Sequence, residues 1–244
     1  MKLDRKLYQK ILHKKTDNPS YNDTHKDRFI YIVNAINKSF QEPQEVKVLD
    51  FGSHVGTLSL LLKHFDYDIT GIDIDEVISN HTDNYTNANI PYDSLKPDWH
   101  KLPYGDDHFD CIVFSEVLEH LYESPIKILE ELYRVIKPGG ILLLTTPNVM
   151  KIENKIKFFL NMNIYQDLYR FCYDARFGLH YREYTKKDLS VLLSQFIQFK
   201  KLDFYYFDYV GGRTRVNRAL QRLLFIFTKL LYFFRGSIMV IATK

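Results

Sequence analysis

Four short stretches of this chain are apolar almost without interruption instead of alternating with polar residues: Val46–Phe51, Asp68–Ile74, Phe109–Phe114 and Ile141–Thr145. Such runs predict strands buried on both faces. Helical patterns fall between them. Thr57–His64 carries leucines at 58, 60, 61 and 62, and a second helix is predicted from about Ser124 to Ile136. Lys137-Pro138-Gly139-Gly140 predicts a turn before the fourth strand. Strands alternating with helices predict a mostly parallel, doubly wound α/β sheet with helices on both sides.

The flanking regions differ from this core of residues 46–147. Residues 1–45 predict an N-terminal helical cap, broken at Asn18-Pro19-Ser20, with Phe29, Ile32, Val33 and Ile36 on one stripe. Residues 148–184 mix Lys, Asn and aromatics (Phe158, Phe159, Tyr165, Tyr169, Phe171 and Tyr173) and read as a helical lid over the sheet's C-terminal edge. Residues 185–244 would close the same domain. Thr185 is the expected cap of a helix to about Phe196, with Asp188 in the capping-box position. Phe199–Tyr209 and Ser237–Thr243 read as two further strands.

With 244 residues, 45% hydrophobic and 26% charged, the chain has the composition of a globular domain with one substantial core. A net charge of +3 is too small to imply nucleic acid. Cys111 and Cys172 stand far apart and read as buried small hydrophobes in a reducing compartment. The basic N-terminus lacks an export signal's apolar run, and Leu220–Phe234 is too short and too charged to span a bilayer. The expected location is therefore the cytoplasm, with a possible peripheral site on the membrane's inner face. That site would be the basic, aromatic 213–235 segment, read as a helix docked on the domain or as contact with membrane or lipid-linked substrate.

Chemistry concentrates at the predicted strand ends. Val48-Leu49-Asp50-Phe51-Gly52-Ser53-His54-Val55-Gly56 reads as strand, glycine turn and helix start, which aims backbone N–H groups at the sheet's C-terminal edge. A dinucleotide fingerprint needs a second glycine where a diphosphate approaches, and His54 stands there instead. Asp73, at the end of Gly71-Ile72-Asp73-Ile74, suits a pair of ribose hydroxyls.

Together with Asp98-Trp99, Leu102-Pro103, Phe109-Asp110, Leu118-x-His120 and Lys137-Pro138-Gly139-Gly140, these motifs resemble the class I S-adenosylmethionine-dependent methyltransferases, in good order over residues 46–147. The resemblance extends to bacterial surface-glycan and ubiquinone-pathway O-methyltransferases. It implies a seven-stranded Rossmann-like sheet and S-adenosyl-L-methionine as cofactor. Asp50, Gly52, Ser53 and Gly56 would hold its methionine moiety, Asp73 with Ile74 its ribose, Asp98 and Trp99 its adenine. Ser115 and Glu116 would line the pocket near the methyl.

Glu116, Glu119 and His120 would share one face if a helix begins at 116. With His180 they form either a divalent-metal site or a catalytic group in which His120 is the general base. A degenerate, cofactor-binding or empty scaffold is the non-enzyme alternative. The expected acceptor is a small-molecule, sugar, glycan or lipid-linked hydroxyl. A quinone or phenol, and a metal-dependent RNA 3′-end 2′-O-methylation, stand as alternatives, the latter disfavoured by the modest charge. The sequence leaves the oligomeric state open.

Overall fold

The computed structural model describes residues 2–13, 18–96, 101–165, 168–173, 178–208 and 231–244. Two helices, α1 (Arg5–Leu12) and α2 (Pro19–Ser39), precede the first strand. Asn18 caps α2 by accepting a hydrogen bond from the Tyr21 backbone N–H, and Pro19 follows at the first helical position, where its missing N–H costs nothing. Then come β1 (Lys47–Phe51), α3 (Thr57–His64), β2 (Asp68–Ile74), α4 (Asp75–Ile78), α5 (Thr82–Thr86), β3 (Tyr92–Leu95) and β4 (Phe109–Ser115). After α6 (Ile126–Val135) and β5 (Ile136–Pro147), α7 (Ile152–Phe159) and α8 (Leu168–Tyr173) form an insertion. α9 (Lys186–Val191), β6 (Lys201–Phe207) and β7 (Ser237–Thr243) close the domain.

One seven-stranded sheet runs in the order β3-β2-β1-β4-β5-β7-β6. The first five strands are parallel, while β7 lies antiparallel between β5 and β6. Alternate residues of the central strands feed two separate cores. Val48, Cys111, Val113 and Leu143 pack with α1, α2 and α3, and Leu49, Ile112, Phe114 and Leu144 pack with α6 and α9. This two-sided burial is why the strands read as unbroken apolar runs.

The Lys137–Gly140 segment is a bulge inside β5, not a turn before it. Phe109 pairs with Ile136 and Cys111 with Ile141, so the extra residues bow out where Gly139 adopts a φ of +79°. Thr185 and Asp188 form the expected reciprocal capping box. Cys172 departs from expectation: it is exposed on α8, whereas Cys111 is buried. Among the described residues, no helix is long and apolar enough to cross a membrane. Most of the 213–235 segment lies outside them.

Candidate functional site

Because β1 and β2 are parallel neighbours, the loops that follow them open at the same edge of the sheet. A cavity of about 690 Å³ lies there. Asp73, at the tip of β2, faces it and accepts hydrogen bonds from the backbone N–H groups of His54 (2.8 Å) and Ile74 (2.7 Å). Each carboxylate oxygen keeps a further accepting direction. Burial raises the Asp73 pKa against the pull of those two N–H groups.

The turn after β1 keeps the left-handed backbone of a glycine loop: φ is +75° at Gly52, +48° at His54 and +77° at Gly56. A Cβ on Gly52 would run into Val117, and one on Gly56 would press on the Tyr85 ring at 3.0 Å. Both glycines thus make room for the protein's own side chains, and Gly56 lines no part of the cavity. Tyr85 locks the turn by donating its hydroxyl to Ser53 Oγ at 2.6 Å. Asp50 points off the sheet toward α3, where it accepts from Ser59 Oγ (2.6 Å). Burial lifts its pKa to about 7, and the Ser59 hydrogen bond opposes the rise. It also borders, with Ser53 and Ser115, a small hollow of about 20 Å³ behind the main cavity.

Among the lining residues that went unread in the sequence are Tyr21, His25 and Arg28, on one face of α2. Their spacing of four and three residues was the available signal, since it extends the helix's stripe past its apolar part. Arg28 stands 3.6 Å from Glu116 with both side chains nearly enclosed. Burial, then the charges of Arg28 and His54, depress the His25 pKa to about 4. His54 packs between Tyr21 and His81, with ring centroids 4.8 and 5.5 Å away.

The segment after β4 corrects the expected helix. Glu116 has a φ of +55°, which no right-handed helix accommodates, and only Leu118–His120 forms a single 3₁₀ turn. Glu116 consequently turns toward Arg28 and accepts a hydrogen bond from Thr145 Oγ1 (2.9 Å), whose hydroxyl also lies 2.8 Å from Ser115 Oγ. It does not join the other three expected ligands. Glu119, His120 and His180 do converge, each offering a ligand atom within 4.8 Å of the others.

Glu119 is wholly buried. Its Oε2 accepts from Thr146 Oγ1 (3.1 Å), and Oε1 has no partner among the described residues. Burial, reinforced by the charge of Glu116, holds its carboxyl far above the usual carboxylate range. His120 Nδ1 lies 2.9 Å from the Leu179 carbonyl oxygen, and its ring meets that of His180 nearly edge-on at 4.8 Å. Burial and then His180 lower the His120 pKa.

The 178–184 segment is strapped to this turn, since the Tyr181 N–H donates to the Glu119 carbonyl at 2.7 Å. Behind His180 stands Glu183, 3.6 Å away and paired with Lys151 at 3.0 Å. Burial opposes its ionisation, but His180 and Lys151 prevail and bring its pKa down to about 2. Of the 148–184 segment, His180 lines the cavity, and no described residue of α7 or α8 does. The expected adenine contacts, Asp98 and Trp99, lie outside the described residues.

A family model described as a methyltransferase domain matches residues 6–196. The chain belongs to that family. It is 34% identical over 120 residues to an uncharacterized protein of Haemophilus influenzae, covering 46% of this chain and 45% of that one. It is 29% identical over 129 residues to a ubiquinone biosynthesis O-methyltransferase of Rickettsia bellii, covering 51% of each. The chain thus spans about half the length of the curated relatives it matches. A solved S-adenosylmethionine-dependent methyltransferase from Archaeoglobus fulgidus superposes with a TM-score of 0.59 over 92% of this chain and 98% of that one, at 13% identity. That likeness establishes the shared Rossmann-like fold.

Proposed function

We propose that this chain methylates a hydroxyl of a sugar, glycan or lipid-linked saccharide, with S-adenosylmethionine as the donor. The cavity's two ends support the reading. At one end Asp73 has accepting directions left for two ribose hydroxyls, with Ile74, Leu95 and Val117 as apolar surface for a purine, and Arg28 supplies a guanidinium for the methionine carboxylate. A sulfonium nucleoside bound there supplies a methyl group already activated toward displacement.

The single observation that carries the reaction is the pairing of His120 Nδ1 with the Leu179 carbonyl. A carbonyl only accepts, so the neutral ring carries its proton on Nδ1 and leaves Nε2 as proton acceptor. The lowered pKa keeps His120 in that neutral form near pH 7. His120 then takes the acceptor's hydroxyl proton while His180, braced by Glu183, orients the hydroxyl. Tyr122, Glu123 and Ser124 give the outer wall mixed polar and aromatic contacts suited to a saccharide.

Two further readings have an observation behind them. A phenol or quinol acceptor is favoured by the name of the Rickettsia bellii relative. A divalent cation on Glu119, His120 and His180 is favoured by their convergence and by the unpartnered Glu119 oxygen. It would acidify the acceptor hydroxyl in place of a free base. The RNA 3′-end alternative calls for Glu116 as fourth ligand, and that side chain is engaged by Arg28 and Thr145.

Isothermal titration with S-adenosylhomocysteine tests the cofactor assignment, and no heat from folded protein would favour the scaffold alternative. Transfer of labelled methyl from the donor into glycan, lipid, quinone or RNA fractions then identifies the acceptor. Incorporation into none of the hydroxyl-bearing fractions would overturn O-methylation.

A further inference from the structure

Within the insertion between β5 and α9, the part that carries α7 and α8 is built inside out. In α7 the enclosed residue is polar: Asn154 donates to the Val149 carbonyl (2.9 Å) and to Glu183 Oε2 (3.3 Å). Its aromatic residues face outward instead, with Phe158 71% and Phe159 85% exposed. Leu160 and Tyr165 beyond the helix, and Leu168 and Tyr169 on α8, are each more than half exposed as well. A helix resting on a domain in water shows the opposite pattern, and clustered exposed apolar side chains mark an interaction surface.

We propose that this face seats in the interface of an anionic lipid bilayer. Charge and composition select that occupant over a second protein. Lys155 and Lys157 sit within one turn of the aromatic end of α7, where they complement anionic headgroups. Lysine is depleted from the cores of protein–protein interfaces, whereas lysines beside Phe, Leu and Tyr are the makeup of helices lying in the membrane surface. Tyrosine suits that depth because its ring can enter the acyl boundary while its hydroxyl stays wet.

At eight residues α7 is about 12 Å long, so it lies in or dips into the interface and does not cross it. Its root joins the candidate site through Lys151 and Glu183, which reach His180. A membrane-seated insertion would therefore hold the acceptor end of the cavity near the lipid surface.

The surface property needs no cofactor, so it stands or falls apart from the proposed activity. The test is co-sedimentation of the full chain with phosphatidylcholine–phosphatidylglycerol vesicles and with pure phosphatidylcholine vesicles. It is repeated for Phe158→Ser/Phe159→Ser/Tyr169→Ser, with S-adenosylhomocysteine titration and circular dichroism run in parallel to read cofactor binding and folding separately. A fluorophore on exposed Cys172 should shift to the blue as α8 meets lipid, while Cys111 stays buried and unlabelled.

Wild type should sediment with the anionic vesicles, less at high salt, and the folded triple variant should lose at least about tenfold in partitioning. Wild type left in the supernatant, or a variant that partitions like wild type, overturns the proposal. So does a dimer that the variant splits without any vesicle binding, which assigns the face to a second copy.

Discussion

The guanidinium of Arg28 lies 3.6 Å from the Glu116 carboxylate, and the two side chains are only 5% and 10% exposed. This buried ion pair fastens α2 to the tip of β4, on the wall of the cavity. Arg28→Ala leaves Glu116 enclosed without its partner and should lower unfolding free energy by about 3–5 kcal/mol in urea melts. Adding Glu116→Gln, which removes the orphaned charge, should restore much of that loss. A single variant as stable as wild type would show that the pair holds nothing in place.

Asp73→Ala removes a carboxylate assigned to the ribose. S-adenosylhomocysteine binding should weaken by about 1.5–3 kcal/mol, the range for a lost charged hydrogen bond. Because the same carboxylate holds the His54 and Ile74 N–H groups, a melting curve on the same sample separates local loosening from lost affinity. Unchanged calorimetric affinity would contradict the assignment.

For His120 the direction with pH follows from its lowered pKa. As pH falls below the ordinary imidazole value of about 6.5, the unfolded chain takes up a proton that the folded chain still refuses. Its contribution to stability is therefore present above that value and lost as pH falls through the interval below it. The neutral ring is also the working base, so kcat should rise with pH to a plateau, with its inflection below about 6.5. His120→Gln should lose about 10²–10⁴-fold in kcat and flatten that acid limb while cofactor affinity holds.

Burial, reinforced by the charge of Glu116, disfavours the ionised form of Glu119, so Glu119→Gln, a neutral group of the same shape, should be tolerated by the fold. Stability should change by less than about 1 kcal/mol. The same variant distinguishes the two catalytic readings, because a cation requires the ionised carboxylate. If Glu119→Gln abolishes a rate that a chelator also abolishes and Mg²⁺ or Mn²⁺ restores, the metal reading stands. If both treatments leave the rate intact, His120 acts as a free base.

The central strands were legible because burial on both faces leaves no polar position to disguise them, and β2 and β7 fall where the pattern put them. β3, Tyr-Asp-Ser-Leu, escaped because an edge strand keeps polar side chains. Pro138-Gly139-Gly140 reads as a turn locally, and only pairing with β4 makes it a bulge. Asp73 was picked out as a strand-end carboxylate, whereas Glu119, His120 and His180 were grouped through a helix face that does not form, and they meet on a 3₁₀ turn instead. The fate of Glu116 was not legible, since neither its left-handed backbone nor its partners Arg28 and Thr145, from distant parts of the chain, show in the local pattern. Tyr21, His25 and Arg28 were missed for the complementary reason: a helix pattern does not say which end of the sheet it will reach.

Strand β7 follows every other strand in sequence, yet it lies between β5 and β6, and its antiparallel pairing extends along both. During synthesis, β5 therefore presents an open, apolar edge until residues 237–243 leave the ribosome, and β6 has nowhere to dock before then. This half of the sheet can close only after nearly all that precedes β7 has been translated, which makes its last strand pairings the late, long-range step of folding.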